Sequence, residues 1–268
     1  MITISWLHAK PKVYDCFLFL NELEVLDIRL HEMDPVVDKF VIVEAIETFR
    51  GNPKELIFAK NAKQFEQFMG KIIYFVIDHC LETNNPWNRE AYHRNMLLSA
   101  LTGCENEDVI LISDVDEIVQ AKGVVSIYNF LYSNPGQIVS VNQKYIATFL
   151  NRLPDPVMWR GTVATTYGKL KEYGPNELRN LRYTVPAIAE GWHFTYQGGT
   201  ERELYKIGAF SHAELDTPEG RETKRKESLL RRQYPVLKID NSFPLYIQEN
   251  QAYFERIDFI LPVTEFIE

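Results

Sequence analysis

Strand-forming apolar runs alternate with helical-period stripes from Val13 to Val109. Val13 to Leu20 (VYDCFLFL) reads as a strand, and Glu22 to Met33 follows as a helix with Leu23, Leu26, Leu30 and Met33 at helical spacing. Lys39 to Ala45 (KFVIVEA) predicts a second strand and Lys71 to Ile77 (KIIYFVI) a third. Between them Asn61 is placed to cap a short helix carrying Phe65 and Phe68. A helix over Arg89 to Leu101 then leads into a fourth strand from Val109. This alternation predicts an α/β protein with a mainly parallel, Rossmann-like sheet, right-handed crossovers and flanking helices. Beyond the fourth strand the rhythm loosens. Gln137 to Thr148 and Thr184 to Tyr196 read as strands around a segment rich in Gly, Pro and aromatics, and Thr217 to Gln233 reads as a charged helix. With no repeat or flexible linker, the layout predicts one domain over 1–268. It divides into a nucleotide-binding half near 13–120, a mixed acceptor-binding half near 121–235, and a tail over 236–268.

At 268 residues with 46% hydrophobic and 13% aromatic content, the chain has the material for a sizeable packed core. A net charge of -8 argues against a general nucleic-acid partner, because the phosphate backbone repels such a surface. Cys16, Cys80 and Cys104 are far apart, form no CxxC pair and are odd in number, so they predict free thiols rather than zinc or a disulfide framework. The amino terminus shows no signal-peptide core, no apolar run is long enough for a bilayer, and no Asn-X-Ser/Thr acceptor occurs. Together these predict a cytoplasmic protein without a transmembrane segment.

The candidate chemistry begins where the fourth strand ends, in Asp114-Val115-Asp116-Glu117. Ligands of open α/β sheets collect at the carboxyl ends of such strands, where carboxylates are costly without a positive partner. Extended residues two apart point the same way, so Asp114 and Asp116 face one site while Glu117 alternates away. A hard divalent cation, Mn²⁺ or Mg²⁺, is the simplest partner; a polar turn with Asp114 capping the next helix is the plainer explanation. Arg94 falls with Leu97, Leu98 and Leu101 on one apolar stripe. It either pairs with Glu90, one turn earlier, or reaches over the strand ends to the acidic site or a bound diphosphate. Glu44 and Asp78 close the second and third strands at the same edge, where they are candidates to accept hydrogen bonds from ribose hydroxyls or a base imide. Further on, Glu190-Gly191-Trp192-His193-Phe194-Thr195-Tyr196 joins a flat face for a sugar ring at Trp192 to a metal ligand or proton carrier at His193. A core histidine is the alternative for His193, and Lys206 and His212 compete for its roles. Six basic residues between Arg221 and Arg232 read as a solvated helix face; the sharper alternative is peripheral contact with anionic lipid headgroups or a phosphate-bearing acceptor.

YDCFLFLNELEVLDIRL, VDKFVIVEAIETFRG, NREAYHRN, ILISDVDEI and GWHFTY, in that order, resemble glycosyltransferase family 17, the β-1,4-mannosyl-glycoprotein β-1,4-N-acetylglucosaminyltransferase family. The resemblance runs from Tyr14 to about His212. It implies a GT-A fold, an inverting transfer, a nucleotide-sugar donor (UDP-GlcNAc) and a glycan acceptor. It further implies an Asp-X-Asp motif in which Asp116 is the principal metal ligand and Asp114 contacts ribose or shares the metal. Arg94 would lie near the diphosphate, and His193 matches the histidine of the GWH segment. An inverting transfer needs a general base, for which Glu190 is the candidate and Glu177 the poorer one. Two other classes remain in view. An aspartyl-phosphate phosphatase also uses Asp-X-Asp, but there the motif opens the core domain, whereas here it lies mid-chain and continues Glu117-Ile118. A non-catalytic carbohydrate-binding protein would not need the acidic pair and Arg94 intact.

Overall fold

The computed structural model describes residues 10–233 and 235–263. Alternation along the strands divides the core in two, because successive residues face opposite sides of a sheet. Phe17 joins one apolar cluster, while Cys16 and Leu18 join the other. The elements are β1 (Val13–Leu18), α1 (Leu23–Met33), β2 (Lys39–Ala45), α2 (Ile57–Asn61), β3 (Ile72–Ile77), α3 (Pro86–Ala100), β4 (Val109–Asp114), β5 (Glu117–Val119) and α4 (Ala121–Ser133). They continue as β6 (Val139–Ala147), β7 (Trp159–Thr166), α5 (Tyr167–Tyr173), α6 (Pro175–Asn180), β8 (Ala187–Thr195), α7 (Thr200–Ala209), α8 (Pro218–Arg231), α9 (Leu245–Glu249) and α10 (Gln251–Arg256). Leu26, Ile127, Ile247 and Phe254 put α1, α4, α9 and α10 on one face; Leu97, Leu170 and Leu178 put α3, α5 and α6 on the other.

The strands form one sheet in the order β3-β2-β1-β4-β7-β6-β8-β5. The first four are mutually parallel, as the strand–helix alternation predicts. β7 then enters antiparallel between β4 and β6, β8 runs parallel to β6, and β5 closes antiparallel to β8. The result is an α/β fold with its parallel character concentrated in the first half. Strands β1 to β4, β6 and β8 all end at one edge, and β7 begins there. That edge carries the site.

Sequence periodicity finds β1, β2, β3, β4, β6 and β8 but misses β7, whose Gly161 and three threonines break any apolar run. Asn61 holds the N-cap position of the 3₁₀ stretch that buries Phe65 and Phe68, but its side chain makes no capping bond there: it ends α2, and its amide donates to the Ile57 carbonyl at 2.7 Å. Helix α3 starts at Pro86, ahead of the expected Arg89, because Asn85 accepts the Trp87 amide as N-cap and Pro86 suits the first turn. The expected tail is packed structure. Tyr246 donates to Asp27 at 2.6 Å and stacks on His31 at 3.8 Å between ring centres; residues 264–268 of that tail lie outside the described residues.

One buried cation sets the position of the acidic motif. Arg29, on α1, has no solvent exposure and meets both Asp15 oxygens at 2.7 and 2.5 Å. Its remaining donors reach the carbonyls of Asp114, Val115 and Glu117 at 2.9, 3.1 and 3.0 Å. The turn that follows β4 is thereby tied to both β1 and α1.

Candidate active site

The carboxyl edge opens into a crevice of about 380 Å³. Leu18, Ala45 and Ile77, the last residues of β1, β2 and β3, line its apolar end. Asp114 and Asp116 lie at the polar end, with Tyr145, Trp159 and His193 brought in by β6, β7 and β8.

The two aspartates sit in different electrostatic surroundings. Asp114 faces the crevice and takes the Arg94 guanidinium at 3.1 Å and that of Arg179 at 3.4 Å. Burial opposes its ionisation, but the Arg94 and Arg179 charges outweigh that and hold the carboxyl below its ordinary range. Arg94 also meets Glu90 at 2.8 Å, so both readings of that cation hold: it pairs within its helix and reaches the acidic motif. Asp116 is 2% exposed, with Lys206 Nζ 2.7 Å from one oxygen and His193 Nε2 3.5 Å from the other. Burial again opposes ionisation; Lys206 first and His193 second overcome it, holding Asp116 far below the usual carboxylate range. Lys206 itself is disfavoured by burial but is pushed up by Asp116 and Glu22.

Glu117 serves the frame. It is fully buried, accepts the Asp114 amide at 2.9 Å and the Trp159 indole N–H at 2.6 Å, and pairs with Arg179 at 2.5 Å. Because Trp159 is pinned in this way, His193 is wedged in turn: its ring centre lies 4.9 Å from that of Trp159 and 5.2 Å from that of Tyr145.

Asp116 and His193 offer one oxygen and one nitrogen donor of the kinds that divalent cations bind. Two ligands bonded at about 2.1 Å in adjacent octahedral positions stand about 3 Å apart, and Asp116 Oδ1 and His193 Nε2 are 3.5 Å apart. Among the described residues no group of three or more His, Cys, Asp or Glu side chains converges on one point. An ion there would draw its remaining ligands from water and from the oxygens of a bound diphosphate.

The crevice thus collects Arg94, Asp114, Asp116 and His193, while five other residues singled out in the sequence are not brought to it. Glu44 is fully buried beneath α2, bonded to Lys54, the Tyr74 hydroxyl and the Ile57 and Phe58 amides. Asp78 projects into solvent at 86% side-chain exposure. Trp192 is 4% exposed, because neighbours on a strand face opposite sides: His193 faces the crevice and Trp192 stacks with Phe194 in the core. Glu190 is exposed on β8 and lines no part of the crevice, and Glu177 is likewise exposed on α6. His212 lines the outer wall at 48% side-chain exposure, paired with Glu214 and packed edge-on against Trp87.

Sequence reasoning passed over Arg179, Tyr145 and Trp159. Arg179 carried a usable signal. It lies between Leu178 and Leu181 as Arg94 lies among leucines, a cation among apolar positions that demands a buried partner. Trp159 had no such signal, since β7 itself was not recognisable.

Asp114 and Asp116 thus lie in a crevice at the carboxyl edge of an α/β sheet. Residues 4–228 match the model described as glycosyltransferase family 17, and the chain belongs to that family. Over 148 residues it is 30% identical to the human β-1,4-mannosyl-glycoprotein 4-β-N-acetylglucosaminyltransferase and 29% identical to the mouse enzyme of the same name. The aligned part covers 46% of this chain and 28% of either relative. Among solved structures, GalNAc-T7 with UDP, GalNAc and Mn²⁺ is similar with a TM-score of 0.49 at 11% identity, covering 94% of this chain and 55% of that one. S. aureus TarS 1–349 has a TM-score of 0.41 at 14% identity, covering 92% and 80%. Among the described residues no helix is long and apolar enough to cross a membrane.

Proposed function

We propose that the protein is an inverting, divalent-cation-dependent glycosyltransferase that moves GlcNAc from UDP-GlcNAc to a hydroxyl of a glycan acceptor. The observation that carries this reading is the convergence of Asp116 and His193 within a crevice that also presents Arg94 and Arg179 around Asp114. Family membership supports glycosyl transfer, and the names of the curated relatives support GlcNAc as the sugar. The free thiols of Cys16, Cys80 and Cys104 support a reducing, cytoplasmic setting.

Asp116 and His193 would hold Mn²⁺ or Mg²⁺, with Asp114 sharing the ion or accepting from ribose. The ion, when bound, supplies positive charge to the departing nucleoside diphosphate. Arg94 and Arg179 add planar donors suited to phosphate oxygens. Trp159 and Tyr145 offer apolar faces against which sugar rings pack. Proton removal from the acceptor hydroxyl needs a base within hydrogen-bond reach. Glu190 and Glu177 lie off the crevice and are not carried forward as that base. Of the acids that line it, Glu47 is locked to Arg89 and the Leu81 amide, and Glu22 to the Asn21 amide. Glu90, which gives one oxygen to Arg94, is more open, at 18% side-chain exposure, than Glu47 at 1% and Glu22 at 15%, so we assign the base role to it.

The decisive experiment incubates the chain with a panel of nucleotide sugars, with and without Mn²⁺, and follows donor hydrolysis and binding. UDP-GlcNAc hydrolysis that requires Mn²⁺ and falls about 10²–10³-fold in Asp116→Ala is expected. If no nucleotide sugar binds, or binding ignores both Mn²⁺ and Asp116→Ala, the reading is wrong. Glu90→Gln should lower kcat about 10²–10⁴-fold while UDP binding persists. Loss of UDP binding instead would remove Glu90 from the base role.

A further inference from the structure

Lys206 reaches from α7 into the crevice and stands between two carboxylates. Its Nζ lies 2.7 Å from Asp116 Oδ2 and 3.1 Å from Glu22 Oε1. The opposite Asp116 oxygen faces His193. One nearly sealed carboxylate therefore serves two cation positions, one on each oxygen. Glu22 is differently placed, since its other oxygen accepts the Asn21 and Leu20 amides at 3.0 and 3.3 Å and is held by its own loop. Helix α7 is anchored too, through Arg202 to Glu24 at 2.5 Å and Glu203 to Arg231 at 3.0 Å. Adjustment at this point falls to the flexible Lys206 stem rather than to the helix.

Resting on the divalent-cation reading above, we propose that Lys206 is an exchangeable counter-cation of the donor site. With neither ion nor donor present it neutralises Asp116. When an ion and a nucleoside diphosphate enter together, Lys206 releases Asp116, stays paired with Glu22 and donates to a diphosphate oxygen. The physical reason is charge balance. An ammonium and a divalent ion on one carboxylate repel each other across a few ångströms of weakly screened space. A buried cation that simply lost its partner would be strongly destabilised, and Glu22 prevents that. The diphosphate then supplies the acceptor that Lys206 gave up.

Exchange makes Lys206 a competitor of the ion alone and a helper of the ion with nucleotide, so its removal should act with opposite signs. The experiment titrates metal-stripped protein with Mn²⁺, reading free Mn²⁺ by electron paramagnetic resonance, with and without UDP. Lys206→Met is expected to bind Mn²⁺ alone about tenfold more tightly than wild type, and about tenfold more weakly when UDP is present. Glu22→Gln should weaken binding of Mn²⁺ alone, because Lys206 then leans wholly on Asp116. A purely structural lysine would move both Lys206→Met titrations in the same direction. That result, or no shift, overturns the exchange while wild-type Mn²⁺ binding leaves metal-dependent transfer standing. Wild type that takes up no Mn²⁺ in either titration overturns both readings. Should Lys206→Met fail to fold, Glu22→Gln carries the test, and an unchanged or tightened Mn²⁺ affinity overturns the exchange.

Discussion

Arg179 shows how much of this site depends on single cations. Its guanidinium joins Asp114 in the crevice to Glu117 in the frame, and Glu117 in turn fixes Trp159 and the Asp114 amide. Removing one partner of a buried pair leaves an uncompensated charge, typically at a cost of about 3–5 kcal/mol. Arg179→Met is therefore expected to lower the unfolding free energy measured by urea denaturation by that much, since Glu117 has no exposure to fall back on. A surface-like loss below about 1 kcal/mol would mean that Glu117 finds another donor. Asp114 and Asp116 were legible in the sequence because an aliphatic run ending in carboxylates is conspicuous. Trp192 and His193 both read toward the site in the sequence, but the strand's two-residue period sends only His193 to the crevice and turns Trp192 into the core.

At the level of elements, two contacts hold the motif in place. Arg29 couples α1 to the turn after β4 through three carbonyls, so Arg29→Met should destabilise the fold by about 3–5 kcal/mol. It should also speed amide hydrogen exchange across Ser113 to Glu117 beyond the exchange of β2, and equal acceleration everywhere would argue against a local anchor. The second contact is the pairing of β5 with β8, where Glu117 lies opposite His193. Gly191 permits it, because a Cβ there would stand 2.2 Å from the Ile118 carbonyl oxygen. Gly191→Ala forces that pairing apart, with an expected cost of about 1–3 kcal/mol and a weaker Mn²⁺ affinity from separating Asp116 and His193. Calorimetry and Mn²⁺ titration of one sample measure both effects.

For the whole molecule, three buried groups, His93, Asp114 and Asp116, are held below their ordinary values. Burial pushes the His93 imidazole well below the ordinary histidine value, more than neighbouring Glu47 pulls it up. The folded state then binds fewer protons than the unfolded chain just below pH 6.5, the ordinary value, so stability rises with pH there and falls on acidification. Asp114 and Asp116 are depressed in the fold, so their contribution is complete above the unfolded carboxylate range and is lost further down as pH falls through their folded values. Two successive acid-side losses of melting temperature are expected. His93→Gln should abolish the first and keep the second, and a His93→Gln melting curve that still falls between about pH 6.5 and 5 would assign that loss to another group.

The sequence by itself determined the parallel half of the sheet, the acidic motif at its edge and the family resemblance, because these rest on contiguous runs with a strong period. Arg94 belongs with them, since a cation on an apolar helical stripe announces a buried partner. The tertiary structure alone decided which side chains complete the site. Strand β7, inserted antiparallel between β4 and β6, brings Trp159 to the edge, and α6 and α7 bring Arg179 and Lys206 from far along the chain. It equally removed Glu44 and Asp78, which close β2 and β3, and Glu190 and Trp192 within β8, because which side of each strand meets the crevice is set by the assembled sheet. Such selection depends on strand order and on which partner neutralises each buried charge, and neither is encoded in any local stretch.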